Sequence, residues 1–479
     1  MGVITFNAKD FVKGISTSDD LSDAGFSNRS RGQNLLANVG TINAKPAITT
    51  KTSNTVANEA IIAQSNSSNP QSFDSFFVSD GEDFFSTQFG SEPIIKQSTV
   101  DTVGIGRTDM KVYKEAVYIS TLTNVTKISS ADVSTIVPTW WTGTASPAGS
   151  ALAGDVHPML VFDTKLFVAN STQLDYTDGT GVTEDLLPLN EEEAISALGI
   201  YEPTGDMLVA VDSGSLDSND DAVYPGNAKI LIWDGFSAVR NREVRVPERI
   251  TTFFNSGGVT YVAMGRTFGY FNGNGIVALR KLNIDFSVNS VITSQKITEL
   301  DDTIYIAEGD DVLAFGKLYP NGNRVFYYPY TTVGNQISTI RAYYNDPATD
   351  EPYVAITYLN GTNPTFAYFS TRNDAGGGDA WYSNIVYLPS NSKIRKVEVL
   401  TEPLTSGDTL NLEMLKTSTD GTTGIGTMDY STDGAIAQKT LARDKNIETA
   451  AVQVAATQSS GSVRIKQIKV HYDAIEKPI

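Results

Sequence analysis

Short, almost uninterrupted apolar runs recur along the middle of the chain. Runs such as LFVA and YVAI begin 41 to 53 residues apart, at Phe76, Val117, Leu166, Leu208, Tyr261, Tyr305 and Tyr353. A run without alternation is typical of a strand covered on both faces, whereas a strand with one exposed face alternates apolar and polar residues. The pattern therefore predicts seven strands that are each buried between neighbouring layers.

A second strand follows most of these runs after a short turn, and another strand precedes several of them. The following strands begin near Asn124, Gln173, Lys229, Thr267 and Val312, and the preceding ones near Ile195, Ile250, Lys296 and Ser338. Three strands with room for a fourth, repeated at about 46 residues, match the blade of a β-propeller. We predict an all-β chain in which residues 56–389 form about seven blades; six or eight also fit, because the copies are only loosely alike.

The first 55 residues differ from the repeats. They are rich in Ser, Asn, Asp and Gly and follow neither a strand period nor a helix period. We predict an extended N-terminal arm over residues 1–55, with a short helix around Asn34–Asn38, that can also supply a strand to close the propeller. Such a polar segment buries little apolar surface alone and typically orders on a neighbour. We therefore expect removal of the arm to leave the propeller folded but to prevent assembly.

Residues 390–479 return to a regular alternation. Apolar and polar residues alternate at 392–400, 408–415, 449–456 and 462–470, with turn-rich spacers between them. This alternation predicts antiparallel strands with one buried face. We predict a small C-terminal β-sandwich or barrel domain.

The charge and the amino-acid usage exclude several classes of function. The formal net charge is −19, so the surface repels phosphate backbones and disfavours specific binding of nucleic acid. The chain has no cysteine, which removes disulfides, thiolate nucleophiles and cysteine-ligated zinc. No basic-then-apolar leader and no run of 18 apolar residues occur. We predict synthesis in the cytoplasm without a signal peptide or a membrane span.

Candidate chemistry is sparse. His157 and His471 are the only histidines, and they fall in different predicted domains, so no triad or histidine metal pair can be assembled. The run Asp212–Asp221 has the closely spaced oxygens that calcium prefers but lacks the spacing of an EF-hand. Two interpretations of the run therefore remain, a calcium site and a solvated insert between two strands. Asp301–Asp302 and Asp310–Asp311 match turn positions beside a strand. We predict no catalytic, cofactor-binding or metal-binding residue, and no enzyme activity.

Two further features bear on sugar recognition. Ser431–Gly434 and Ser79–Gly81 resemble the Asp-box of sialidases, but the aromatic residue that closes the motif is missing. Trp140–Trp141 and Tyr327–Tyr330 are aromatic clusters that either stack on sugars, anchor a protein interface or pin loops to the propeller. The alternative function is therefore a glycan-binding or receptor-binding propeller, with a glycosidase less favoured.

Four segments resemble virion proteins of tailed bacteriophages. Gly14–Asp19 and Asn34–Pro46 resemble the opening of such proteins, and Lys396–Leu400 and Ser406–Leu412 resemble the β domain that often follows their propeller repeats. The resemblance implies a structural protein of the tail-nozzle, collar or tail-hub type. It also implies a location in the virion, a homo-oligomeric ring in the tail or neck, and other virion proteins as partners.

Overall fold

A computed structural model of the chain describes residues 2–8, the strands between 14 and 99, and most of residues 109–475. Within this last stretch it does not describe residues 115, 122, 130–135, 138, 144–148, 154–156, 188, 191–192, 213–214, 217–221, 224–227, 238–241, 283–295, 301–302, 309–310, 317–326, 333–336, 344–352, 361–362, 371–378, 384, 416–421, 442–446 and 462. The statements below concern the described residues.

Short strands occupy the described part of the N-terminal arm. They are β1 Gly2–Asn7, β2 Gly14–Ser16, β3 Phe26–Asn28, β4 Gln33–Leu36, β5 Thr41–Ala44 and β6 Thr49–Lys51. The prediction of a short helix around Asn34–Asn38 was wrong for the first three residues, which lie in strand β4. Because β4 pairs with β5, with Leu35 opposite Ile42, sheet pairing overrides the weak local preference there.

Four-stranded antiparallel sheets, here called blades, follow in chain order. The strands of blades 1 to 3 are β7 Ile61–Ala63, β8 Ser75–Ser79, β9 Asp83–Gln88, β10 Ile95–Thr99, β11 Met110–Tyr113, β12 Ala116–Ser120, β13 Val125–Ser129, β14 Ile136–Val137, β15 Met159–Phe162, β16 Lys165–Asn170, β17 Gln173–Thr177 and β18 Val182–Thr183. Consecutive strands pair within each blade, as expected for sheets built from successive hairpins.

Blades 4 and 5 continue this pattern, and blade 4 carries an additional hairpin. Their strands are β19 Ala194–Tyr201, β20 Asp206–Asp212, the hairpin β21 Ser215–Leu216 and β22 Ala222–Val223, then β23 Lys229–Trp233, β24 Arg242–Arg245, β25 Ile250–Ser256, β26 Val259–Met264, β27 Thr267–Phe271 and β28 Ile276–Lys281. Strand β21 lies within the acidic run Asp212–Asp221, and β22 follows that run directly.

Blades 6 and 7 each take strands from the N-terminal arm. Their own strands are β29 Ile297–Leu300, β30 Thr303–Glu308, β31 Asp311–Gly316, β32 Tyr327–Thr332, β33 Ile337–Tyr343, β34 Tyr353–Asn360 and β35 Asn363–Ser370. In blade 6, β2 adds parallel to β32 and β3 adds parallel to β2. In blade 7, β6 pairs antiparallel with β35 and is the fourth strand. The prediction that the arm supplies a closing strand is therefore confirmed.

The first strands of the seven blades form a closed ring. Each contacts the first strand of the next blade, and β33 of blade 7 contacts β7 of blade 1. The recurring apolar runs are the second strands of the blades, and those described in blades 2 to 6 are almost completely buried. The predicted seven-bladed propeller is confirmed.

The C-terminal region forms one large antiparallel sheet system. Its elements are β36 Asp379–Tyr382, β37 Val386–Thr401, β38 Thr409–Leu415, β39 Thr422–Asp429, the short helix α1 Tyr430–Asp433, β40 Gln438–Leu441, β41 Ile447–Ser460 and β42 Ile465–Ala474. The arm strands β1 and β5 both pair with β42, and β4 extends the sheet beyond β5. The first and last strands of the described chain are thus neighbours.

One hydrophobic core is shared by the last blades and the C-terminal sheet. It contains Tyr305 of blade 6 and Ile340 of blade 7 together with Val397 and Leu410 of the C-terminal sheet. Phe6 of β1 belongs to the same core and is 5% exposed. The propeller and the C-terminal sheet are therefore packed together as well as joined by the arm.

Candidate functional site in the central channel

The central channel is enclosed by the first strands of the blades. On one side, β11, β15, β19 and β25 line a cavity of about 220 Å³. Most of its lining is apolar, but Asp109, Lys111, Thr252 and Asn255 also contribute to it. Concave, mostly apolar pockets with a few polar groups are the usual setting for small-molecule binding.

Asp109 lies directly before β11 and joins two blades. One of its carboxylate oxygens accepts hydrogen bonds from the Met110 N–H at 2.8 Å and from Lys111 Nζ at 3.1 Å. The other accepts one from the Met159 N–H of blade 3 at 2.9 Å. The buried charge of Asp109 is thereby held by donors from both blades.

Arg341, on β33 of blade 7, interacts electrostatically with Asp109. Burial lowers the pKa of its guanidinium, and the negative charge of Asp109 opposes that shift. The Arg341 Nε is buried and donates no hydrogen bond. A cation of blade 7 thus lies within electrostatic range of a carboxylate of blade 2.

Asn255, on β25, is a second polar side chain without a partner for one of its atoms. Its side-chain oxygen is buried and forms no hydrogen bond, and the residue lines the cavity. The amide oxygen and nitrogen of an asparagine exchange places by a half turn, so Asn255 can present either an acceptor or a donor to the same point.

A recurrent turn shapes the propeller surface between the third and fourth strands of blades 3, 4 and 5. The third strand is followed by Asp178–Gly179, Asp234–Gly235 or Asn272–Gly273. In each turn the side-chain oxygen of the first residue accepts backbone N–H groups two or three residues later, at 2.8 to 3.0 Å. Asp and Asn favour such turns because they replace a backbone acceptor locally.

Two of these turns pack against an aromatic residue of the preceding blade. A Cβ atom on Gly235 would lie 2.7 Å from Phe162 Cε1, and one on Gly273 would lie 2.8 Å from the Tyr201 hydroxyl oxygen. Phe162 and Tyr201 each end the first strand of their blade. The glycines therefore allow neighbouring blades to approach closely.

An exposed aromatic residue lies beside the turn of blade 4. Phe236 is 58% exposed, and Lys165 Nζ lies 5.5 Å from its ring centroid and 4.2 Å from that of Tyr176. Lys165, Tyr176 and Phe236 are called the rim patch below. The rim patch spans blades 3 and 4 and combines a cation with two aromatic rings.

The two histidines lie far apart in the fold and are both engaged. His157 is fully buried, its Nδ1 lies 2.9 Å from the Ala169 carbonyl oxygen, and its own carbonyl accepts a hydrogen bond from Ser120 Oγ. His471 lies on β42 with its Nε2 3.1 Å from a carboxylate oxygen of Glu398. These contacts place each histidine within a blade or sheet rather than in the channel cavity.

The acidic segments singled out from the sequence are only partly described. Asp212 ends β20 and is buried, whereas residues 213–214 and 217–221 lie outside the described residues, as do 301–302 and 310. Ser431–Asp433 lie in α1, where Asp433 forms an ion pair with Lys439 at 2.6 Å. Across the described residues, no group of three or more His, Asp or Glu side chains is arranged to hold a metal ion.

The paired tryptophans are core residues. Trp141 is fully buried, Trp140 is 6% exposed, and their rings meet edge to face at 6.3 Å between centroids. Of the interpretations left open by the sequence, the structure supports the pinned loop. Tyr327, Tyr328 and Tyr330 lie on β32, and their side chains are outside the described residues.

Three features of the structure were not predicted from the sequence. Arg341 and Asn255 stand in apolar strand segments and carry no motif. Phe236 follows an Asp–Gly pair that also occurs after the third strand of blade 3. That repeated pair was visible in the sequence and marks the turn that exposes Phe236.

Comparisons with known proteins give similar folds only. No protein-family model and no curated protein matches the chain. A chain in an S. cerevisiae structure of Dbp5 bound to Nup159, Gle1, IP6 and ADP is similar, with 10% identity, a TM-score of 0.43, and 68% of this chain and 95% of that chain covered. BamB from Moraxella catarrhalis is similar with 6% identity, a TM-score of 0.37, and coverage of 78% and 99%.

A third similar structure is an enzyme. It is a glycoside hydrolase family 43 arabinoxylan arabinofuranohydrolase from Bacillus subtilis in complex with cellotetraose, with 10% identity, a TM-score of 0.26, and coverage of 88% of this chain and 96% of that chain.

Strand order, ring closure and the large C-terminal sheet define the class of this chain. It is a seven-bladed β-propeller protein with an extended N-terminal arm and a C-terminal β-sandwich-like region. In the part of the chain that the structure describes, helices with the length and hydropathy needed to span a bilayer do not occur.

Proposed function

We propose that this chain is a non-enzymatic structural subunit of a bacteriophage tail or neck, located in the virion after synthesis in the host cytoplasm. It assembles as a ring of copies and contacts other virion proteins. The observation that supports this role is the linkage of the propeller to the C-terminal sheet by the arm and by a shared core. A block built in this way transmits load between its two parts through their shared core.

The C-terminal sheet offers surface for contact between subunits. Tyr387 of β37 is 77% exposed, and Val3 of β1 is 50% exposed. Among the strands that the structure describes, β1 pairs with β42 alone, and such edge strands are ready templates for another chain. Exposed aromatic residues are common anchors of protein interfaces.

The direct test is to locate the protein in purified phage particles. Mass spectrometry of the particles should detect the chain in several copies, and cryo-electron microscopy should show it as a ring in the tail or neck. Absence from the particles, or a single copy on the capsid, would contradict the proposal.

A glycan-binding or receptor-binding propeller is the second candidate, and the rim patch is the observation that favours it. Exposed rings such as Phe236 stack on sugars as readily as they anchor proteins. The aromatic residues Tyr387 and Phe236 lie on different parts of the fold, so substituting each with serine separates the two functions.

Tyr387→Ser should reduce ring formation, measured by light scattering after size-exclusion chromatography, and leave any glycan binding unchanged. Phe236→Ser should reduce glycan binding, measured on a glycan array, and leave ring formation unchanged. If Phe236→Ser abolishes a saturable glycan signal while the chain never forms rings, the second function replaces the first. Circular dichroism of both variants controls for folding.

A further inference from the structure

We propose that the central channel of the propeller binds an uncharged, largely apolar molecule about the size of one small ring. This inference is independent of the proposed role in a virion. It rests on the volume of the channel cavity, on the apolar side chains of its wall and on the pairing of the charged side chains there.

The cavity has room for a ligand of this size. Its volume is about 220 Å³. An engineered protein cavity of about 150 Å³ with an apolar lining already binds benzene, whereas sites for drug-sized ligands span roughly 300–1,000 Å³. The channel cavity lies between these two limits, which points to a single ring with at most a few additional atoms.

Apolar side chains from three adjacent blades form much of the wall. They are Met159 and Leu160 of blade 3, Leu198 and Ile200 of blade 4, and Phe254 of blade 5. Leu160, Ile200 and Phe254 are only partly buried, so they retain apolar surface that a ligand in the cavity can cover. Removal of such surface from water is favourable and needs no charge on the ligand.

The side of the cavity between blades 4 and 5 is closed by a direct contact. Gly199 and Phe253 both line the cavity, and a Cβ atom on Gly199 would collide with the Phe253 side chain. Because glycine lacks that atom, Phe253 rests directly on the backbone of β19. This side of the cavity is therefore already formed without a ligand, as is usual for small-molecule sites.

The charged side chains of the wall neutralise each other. In the described part of the chain they are Asp109 and Lys111, and Lys111 Nζ donates to an Asp109 carboxylate oxygen at 3.1 Å. Asp109 also accepts the backbone N–H groups of Met110 and Met159. A charged ligand would therefore lose its hydration without gaining an unpaired opposite charge, which is costly in an apolar cavity. An uncharged ligand avoids this cost.

The test compares benzyl alcohol, benzoate and benzylamine, three probes that share one ring, on the purified full chain at neutral pH. The first is uncharged, the second is an anion and the third is a cation. Titrations followed by ligand NMR use roughly 0.15 M salt, which screens attraction of the cation to the acidic surface. Benzyl alcohol should bind saturably and about tenfold more tightly than either charged probe. Absence of saturable binding of benzyl alcohol, or equal or tighter binding of a charged probe, would overturn the proposal.

Ile200→Trp should abolish the binding of benzyl alcohol, because the larger side chain occupies the cavity that Ile200 lines. Val112→Trp is the matched control, since Val112 is also a half-buried aliphatic residue of a first strand but lies outside the cavity wall. Equal affinities for wild type, Ile200→Trp and Val112→Trp would show that the probe binds elsewhere and would overturn the proposal.

A second variant tests the charge balance and keeps the proposal testable if Ile200→Trp fails to fold. Lys111→Met preserves an extended side chain but leaves the charge of Asp109 without its cation. Benzylamine should then bind about tenfold more tightly than it binds to wild type, while the affinity for benzyl alcohol changes little. Unchanged affinity for benzylamine would show that Lys111 and Asp109 do not set the charge of the cavity and would contradict the proposal.

Discussion

At the scale of single residues, the close contact between two blades depends on a glycine that has no Cβ atom. Gly235 has a φ of +86°, and the place of its missing Cβ is only 2.7 Å from Phe162 Cε1. Gly205 also has a positive φ, of +76°, but nothing lies within 4 Å of the place where its Cβ would be. Substitution of Gly205 therefore tests backbone strain alone, whereas substitution of Gly235 tests backbone strain together with the close approach of two blades.

We predict that Gly235→Ala destabilises the protein more than Gly205→Ala does. The left-handed backbone lowers the free energy of unfolding of both variants by roughly 1–2 kcal/mol. Gly235→Ala lowers it by about 1–3 kcal/mol more, because the new methyl group forces Phe162 away. Urea unfolding of the two variants measures the difference. Equal losses would mean that Phe162 moves aside freely and that this contact does not fix the spacing of the blades.

The ion pair of Glu193 and Lys229 makes a second prediction at this scale. Burial raises the pKa of Glu193, but the hydrogen bonds from Lys229 and Asn190 outweigh it, so the pKa is lowered on balance. A lowered pKa contributes stability that is present above the unfolded value of about 4.3 and is lost as the pH falls through the folded value.

Glu193→Gln should therefore destabilise the protein at neutral pH by about 1.5–3 kcal/mol, since it removes the nearer carboxylate from the buried Lys229 and leaves Glu243 as its remaining partner. The difference from wild type should shrink below a pH of about 4. Thermal unfolding between neutral and acidic pH measures it. Glu243→Gln is the control, because Glu243 lies 3.6 Å from Lys229 and is more exposed, so its effect should be smaller. A difference that persists unchanged in acid would contradict this account of Glu193.

At the scale of the elements, closure of the propeller depends on a strand of three residues. β6 pairs with β35 through Thr49, Thr50 and Lys51. The expectation that the arm can be removed without unfolding the propeller does not agree with this pairing, because its removal would leave blade 7 without its fourth strand.

Two truncations isolate the closing strand. Removing residues 1–48 keeps β6, and removing residues 1–55 deletes it. We expect the longer truncation to cost about 2–4 kcal/mol more, at roughly 1 kcal/mol for each backbone hydrogen bond lost. Chemical denaturation of the two products measures the difference. Equal stabilities would show that β6 contributes little to closure.

The sequence predicted the second strand of every blade but not the route of the arm. The second strands are apolar throughout, since blades cover them on both faces, and this signal survives loose similarity between copies. The arm strands β2, β3 and β6 span three residues each, so they carry no period to detect. The partners of β2 and β6 in blades 6 and 7 lie hundreds of residues away, and only the folded chain brings them together.

The channel site was hidden for a similar reason. Lys111 and Asn255, which both line the channel cavity, come from blades 2 and 5, and no local spacing relates them. The paired tryptophans were visible but ambiguous, because a sequence cannot show whether an aromatic cluster in a loop points inward.

At the scale of the whole molecule, the shared core predicts joint unfolding. Phe6 lies in β1 and packs in the core that includes blades 6 and 7 and the C-terminal sheet. Phe6→Ala should cost about 3–5 kcal/mol and raise hydrogen exchange in blade 7 and in β42 together. Mass spectrometry of exchanged peptides measures both regions. Faster exchange in β42 alone would show that the two parts open independently, and Phe6→Leu controls for the loss of volume.

The pairing of β1 with β42 also determines how long β1 waits for its partner strand during synthesis. Gly2 lies opposite Tyr472, so the ribosome must add 470 further residues before the first strand meets its partner. At roughly 5–20 residues per second, that interval lasts about 25–95 s. Throughout it, β1 has no partner strand from β42, and blade 7 cannot use β6 until β35 has emerged. The nascent chain therefore exposes unpaired strand edges for most of its time on the ribosome, which is the period in which chaperones would be needed.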